Sequence, residues 1–170
     1  MGEIGEICAR GYCVMKCYYN NPSATHATLD SNHWNHTGDL GTMDEEGYFR
    51  IVGRLKDMVI RGGENIYPRE IEEFLHHHEK IADVYVVGVP DKKYGEELCA
   101  WVKIKDGQKL TEDEVREFCK GKIAHYKIPR YVMFVNDFPM GVTGKIQKFR
   151  MREESVKKLG LEAAEKIETA

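Results

Sequence analysis

The sequence predicts an α+β protein: a small domain with a short sheet flanked by helices, preceded by a β-rich segment. Three observations carry that reading. From about residue 57 onward the hydrophobic spacing runs strand, helix, strand, strand, helix, strand, helix. Residues 3–53 consist mostly of strand-like runs and turns. The 170 residues, 42% hydrophobic and 31% charged, suit one ordinary core or two small ones and argue against a disordered chain.

The bulk numbers also exclude several function classes. A formal charge of -3, with basic residues scattered among acidic ones, gives no general attraction to nucleic acid or to an anionic membrane. No run approaches the roughly 18–20 apolar residues needed to span a bilayer, and the N-terminus lacks the basic start and apolar block of a signal peptide. Five cysteines, mostly within periodic segments, fit a reducing compartment. Cys8, Cys13 and Cys17 match no familiar ligand spacing and read as structural thiols.

In chain order, Glu3 to Arg10 alternates as a strand, Gly11 breaks it, and Tyr12 to Tyr19 resumes an apolar, aromatic run ending at Asn20-Asn21-Pro22. Ser23 to Leu29 suits a helical turn, and Asp30 to His36 is polar around Trp34. In Thr37-Gly38-Asp39-Leu40-Gly41 a carboxylate stands between glycines. Spacing alone favours a turn in which Asp39 caps its own backbone. The competing reading is a ligand site, since an exposed carboxylate accepts two hydrogen bonds from a vicinal diol such as a ribose. Asp44 to Gly47 is a hairpin-type turn into a strand, Tyr48 to Val52.

The stretch Gly53 to Glu72 organises the rest. Arg54-Leu55-Lys56-Asp57 reads as a turn, Met58 to Ile60 as a short strand, and Gly62-Gly63 as a loop letting backbone approach something bulky. Pro68 opens an amphipathic helix to about His78, with Ile71, Phe74 and Leu75 on one face and Glu70, Glu72 and Glu73 opposite. His76 to His78 read as its solvated end, and His33 and His36 lack a third ligand at a recognisable spacing. No metal site is expected.

Ile81 to Val89 and Glu97 to Lys105 are strands around a Lys92-to-Gly95 connection. Thr111 to Glu114 is a capping box opening a helix whose apolar residues are Val115, Phe118 and Cys119. Tyr131 to Val135 is a third strand, and Arg150 to Leu159 a charged terminal helix followed by fraying residues. Between them, Phe138 to Ile146 is a thin, mobile loop presenting Lys145 as a point charge for an anion. Gly-x-x-Gly-Lys lacks the full phosphate-loop spacing, and spacing alone favours a surface lysine in a turn.

Taken together, Gly5 to Gly11, Tyr18 to Pro22, Thr37 to Gly41, Gly53 to Glu72 and Thr143-Gly144-Lys145-Ile146 resemble the late motifs of AMP-forming acyl-CoA synthetases in the acyl-adenylating superfamily. Lys56 to Pro68 and Gly144 to Lys148 look most like the medium-chain acyl-CoA synthetase-like branch. The resemblance implies a ligase that makes an acyl-adenylate from ATP and a carboxylic acid, then a thioester with coenzyme A. Asp39 matches the ribose-binding aspartate, Arg54 a ribose and phosphate contact, and Lys145 the lysine bridging substrate carboxylate and α-phosphate. Lys56 matches the hinge about which a C-terminal domain rotates, while Gly62, Gly63 and Glu64 match the coenzyme A channel.

The resemblance further implies residues 1–53 as the end of a large N-terminal domain, 54–57 as hinge, 58–160 as C-terminal lid and 161–170 as tail. The expected partner is the rest of that N-terminal domain, whose phosphate loop and acyl pocket this sequence lacks, and which is expected to hold Mg2+. The fragment is expected to be inactive alone, to sit in the cytoplasm or an organelle matrix, and to be capable of oligomerising. Alternatives are a carrier-loading adenylation domain and a stand-alone binding or regulatory module.

Overall fold

The computed structural model describes residues 2–165, and the side chains as far as residue 164. The chain divides into two compact units, residues 1–56 and 57–170.

The first unit is an antiparallel sheet of order β1-β2-β3, formed by β1 (Gly5–Ala9), β2 (Asn35–Met43) and β3 (Phe49–Arg54). Between β1 and β2 lies α1 (Pro22–Thr28), with proline in its first turn and Asn21 accepting from the Ala24 N–H at 3.0 Å. Asp44 Oδ1 accepts from Glu46 N and Tyr48 N, tightening the β2–β3 turn.

Two expectations fail in this unit. Tyr12 to Tyr19 forms no strand, and Tyr12, Tyr19, Cys13 and Cys17 are exposed, so these two thiols are not core residues. An aromatic run becomes a strand only where a neighbour accepts its ladder, and β1 ends its pairing with β2 at Ala9. Thr37 to Gly41 is not a turn but the middle of β2, in register with both neighbouring strands.

The second unit confirms the α+β reading. Its sheet follows the order β5-β4-β7-β6, with β4 (Val59–Arg61), β5 (Glu64–Ile66), β6 (Ile81–Asp91) and β7 (Gly95–Ile104) antiparallel. A further strand, β8 (Tyr131–Phe134), pairs parallel with Cys99–Val102 of β7. One edge of β7 is taken by β6, so β4 and β8 share the other.

Alternation along β6 and β7 divides the core. Val84, Val86, Leu98, Ala100 and Val102 pack with Ile71 and Leu75 of α2 (Pro68–Leu75) and Val115 and Cys119 of α3 (Glu112–Cys119). Val87, Val89, Cys99 and Trp101 pack on the other face with Phe138 and Met151 of α4 (Lys148–Leu159). The capping box at Thr111 and Glu114 is present. Gly160, at φ 66, closes α4 in the left-handed conformation that glycine favours.

Several boundaries differ from the sequence reading. Arg54 closes β3 rather than opening a turn, and Leu55–Asp57 forms a 3-10 turn. Strand β5, only three residues long, is absent from the hydrophobic pattern. Helix α2 stops at Leu75, and His78 is half-buried against Phe118, at 4.7 Å between ring centroids, rather than solvated. Burial holds the His78 pKa below its usual range. Glu162–Glu165, assigned to a tail, forms one helical turn, α5, and the remaining residues expected to fray lie outside the described ones. Among the described residues no helix is long and apolar enough to cross a membrane.

Candidate functional site

Asp39 and Arg54 are opposite each other in the β2–β3 register. Arg54 Nε donates to Asp39 Oδ1 at 3.0 Å, and both side chains are substantially exposed, 57% for Arg54 and 37% for Asp39. An exposed pair of this kind contributes little to stability. It leaves Asp39 Oδ2 and both Arg54 Nη atoms without a hydrogen bond to any described residue. One carboxylate oxygen and the two terminal guanidinium nitrogens are therefore left open side by side.

The backbone beside Asp39 is held from β1. Glu6 Oε1 accepts from Gly38 N at 2.9 Å and Oε2 pairs with His36 Nδ1 at 2.8 Å, while the Thr37 hydroxyl donates to Ile7 O. Cys8 Sγ lies 3.5 Å from the same His36 nitrogen. Glu6, Cys8 and His36 thus converge closely enough to hold a metal ion. Both oxygens of Glu6 are already engaged in bracing β2, which accounts for the cluster structurally. Sequence spacing missed this brace because its members lie on different strands.

Gly62 and Gly63 form the two-residue turn between β4 and β5, with φ of 58° and 88°, the doubly left-handed geometry of a tight hairpin. Gly62 N donates to Tyr94 O at 2.8 Å, and a Cβ on Gly62 would lie 3.2 Å from Tyr94 Cδ1. A Cβ on Gly63 would meet nothing within 4 Å. Glycine is therefore required at 63 by dihedral angle rather than by space within this unit. Beside the turn, Arg61 Nη2 meets the buried Glu97 carboxylate at 2.6 Å, and its guanidinium lies over the Tyr94 ring at 4.2 Å. Glu64 is exposed on the far side of the turn. Lys56 is exposed in the 3-10 turn and is the last residue of the first unit.

Lys145 is carried by a hydrogen-bonded turn. Met140 bridges Ile146, Gly141 N donates to Lys145 O at 2.8 Å, Gly144 N to Gly141 O at 2.9 Å, and Gln147 N to Pro139 O at 2.9 Å. Gly144 has a φ of 74°. Lys145 is exposed and has no acidic partner among the described residues. An unpaired ammonium on a fixed backbone is suited to meeting an incoming anion. Asp39 and Arg54 are thus brought together in the first unit, and Gly62, Gly63, Glu64 and Lys145 lie on two turns of the second.

The sequence profile of the AMP-binding enzyme C-terminal domain matches residues 70–145. Residues 70–145, in the second unit, are thus similar to that domain family. Around this AMP-binding domain the likeness extends much further. The chain is 57% identical over 164 residues to YngI of Bacillus subtilis, whose name designates it a candidate acyl-CoA synthetase, covering 96% of this chain and 30% of that protein. It is 53% identical over 157 residues to the human mitochondrial medium-chain acyl-CoA ligase ACSF2, covering 92% of this chain and 26% of the human protein. ATP-bound MatB from Rhodopseudomonas palustris superposes with a TM-score of 0.86 at 38% identity, over 91% of this chain and 31% of that one. The AMP-binding C-terminal domain and the segment before it therefore span less than a third of each of these relatives.

Proposed function

We propose that this chain is the C-terminal part of an AMP-forming acid–CoA ligase acting in a bacterial cytoplasm or an organelle matrix. Residues 1–53 would complete a large N-terminal domain, 54–57 serve as hinge and 58–160 as a lid. The observation that carries the reading is Lys145, unpaired and exposed at the end of a hydrogen-bonded turn. In the first half-reaction a substrate carboxylate oxygen attacks the α-phosphorus of ATP, the bond to the β-phosphate breaks, and pyrophosphate leaves. Lys145 would neutralise the two approaching anions and the charge that grows between them. Asp39 Oδ2 would accept from the ribose hydroxyls, and the free Arg54 nitrogens would donate to the ribose and phosphate region.

In the second half-reaction the coenzyme A thiol attacks the acyl carbonyl carbon, the acyl–phosphate bond breaks, AMP leaves and the thiol proton passes to solvent. Rotation at Lys56 would exchange Lys145 for the Gly62–Gly63 turn, with Glu64 beside the passage taken by pantetheine. Mg2+, held mainly by residues outside this chain, would screen the phosphates. The chain alone is expected to be inactive.

The test uses the full-length enzyme. Lys145→Ala should lower ATP–pyrophosphate exchange by about a hundredfold or more, while thioester formation from preformed acyl-adenylate continues. Gly63→Leu should do the reverse, slowing thioester formation and sparing exchange. Normal exchange in Lys145→Ala refutes the assignment, and equal loss of both half-reactions in Gly63→Leu refutes the channel role.

A further inference from the structure

The Lys145 turn and the glycine turn are tied to the sheet by two ion pairs that the reaction scheme does not use. Lys148, the first residue of α4, donates from Nζ to Glu72 Oε1 on α2 at 2.6 Å and to Val86 O at 3.3 Å. The same Glu72 oxygen accepts from Val86 N at 2.8 Å. Val86 lies on β6, the edge strand of the sheet, so the pair occupies backbone groups that no neighbouring strand of the sheet takes. On the next turn of α4, Arg152 Nη1 donates to Glu96 Oε1 at 2.6 Å, and Glu96 Oε2 accepts from Ile60 N at 2.8 Å. Ile60 belongs to β4, which leads into Gly62 and Gly63. The backbone gives way to admit this link: a Cβ on Gly88 would stand 3.0 Å from Glu96 Oε1.

The Lys148–Glu72 pair is the more enclosed of the two, since Arg152 beside Glu96 is 42% exposed. Lys148 and Glu72 are 21% and 13% exposed, and each carboxylate also holds a backbone N–H. Removing one member leaves a partly buried partner and an unpaired backbone group.

We propose that Lys148 and Glu96 are positioning residues for the two half-reactions. Lys148, anchored on Glu72, fixes where the Lys145 turn leaves the domain. Glu96 joins the helix behind that turn to the strand behind the glycine turn, so the two reacting segments travel as one body. The inference rests on the functional reading above.

The closing experiment compares Lys148→Met, Lys148→Arg, Glu96→Gln and Lys145→Ala in the full-length enzyme, following exchange, thioester formation from preformed acyl-adenylate, and thermal unfolding. Misplacement by about 1 Å is enough to cost on the order of a hundredfold. Lys148→Met should therefore lower kcat for exchange by about ten- to a hundredfold with the KM for ATP nearly unchanged, and spare thioester formation. Lys148→Arg should restore most of the loss. Glu96→Gln, which loosens both turns, should lower both half-reactions. If Lys148→Met does not fold, Lys148→Gln, which retains a donor for Val86 O, carries the same expectation. Full exchange in Lys148→Met, or a loss equal in both half-reactions and unrestored by arginine, overturns the proposal while Lys145→Ala remains defective. Full exchange in Lys145→Ala overturns the functional reading and this inference with it.

Discussion

Glu6 and His36 face each other across β1 and β2, and each moves the other's titration. The hydrogen bond to His36 lowers Glu6 from its ordinary 4.5, and the same contact raises His36 from 6.5. The Glu6 contribution is complete above 4.5 and lost as pH falls through its lowered pKa; the His36 contribution is complete below 6.5 and lost as pH rises through its raised pKa. The brace beside Asp39 is therefore strongest between those ordinary values. Lowering the pH from about 8 to about 6 should move unfolding of the first unit to higher denaturant, read by Trp34 fluorescence in a Trp101→Phe background, and His36→Gln should abolish that movement. An undiminished shift in His36→Gln would count against the brace. Gly41 gives a second test, since its Cβ would lie 2.9 Å from both Arg50 O and Ile7 Cδ1. Gly41→Ala should destabilise this unit by about 1–3 kcal/mol in urea titrations; an unchanged midpoint would mean that the strands shift at no cost. The sequence marks Asp39 by its flanking glycines but not their reasons: Gly38 is there for a φ of 73°, Gly41 for space between strands.

At the scale of elements, what was legible is what is local. The capping box reads directly from Thr111 and Glu114 because all its partners fall within one helical turn. Lys80 adds to it from elsewhere, and its hydrogen bond is the main reason that Glu114 is held at about 2. The buried contact between Trp101 Nε1 and Ser155 Oγ, at 2.8 Å, joins residues 54 positions apart and has no local trace. Ser155 also donates to Met151 O at 2.7 Å, so this hydroxyl connects α4 to the middle of β7. Ser155→Ala leaves the indole N–H unpaired and should cost about 1–3 kcal/mol in the second unit, measured by denaturation. A smaller loss would mean that another acceptor reaches the indole. The β4–β5 hairpin escaped the sequence reading for a related reason. Met58 to Ile60 reads as a strand and Gly62-Gly63 as a loop, but the three-residue β5 carries too little alternation to register, and the paired positive φ values of Gly62 and Gly63 are what make the loop a hairpin turn.

Over the whole chain, apolar burial is unevenly shared. Among the described residues the first unit contributes Leu40 to the buried hydrophobic set, while both core clusters lie in the second. Unfolding should accordingly proceed in two stages, with limited trypsin digestion removing residues 1–56 first and leaving a product that begins near Asp57. Mass spectrometry of the digest checks this, and simultaneous loss of both units would contradict it. The α+β class was legible because period two and period 3.6 alternate clearly after residue 57. The pairing of β8 with β7 was not, because parallel partners announce themselves only through the fold.

The Lys145 turn has a consequence for the entropy of binding. Its backbone is already closed by the Met140–Ile146 bridge and the hydrogen bonds of Gly141 and Gly144. Ordering a free loop would cost about 1–2 kcal/mol for each residue immobilised. Here that ordering accompanies folding, so an anion meeting Lys145 has to still only the rotamers of one side chain. The rest of its attraction is left to act on the anion itself.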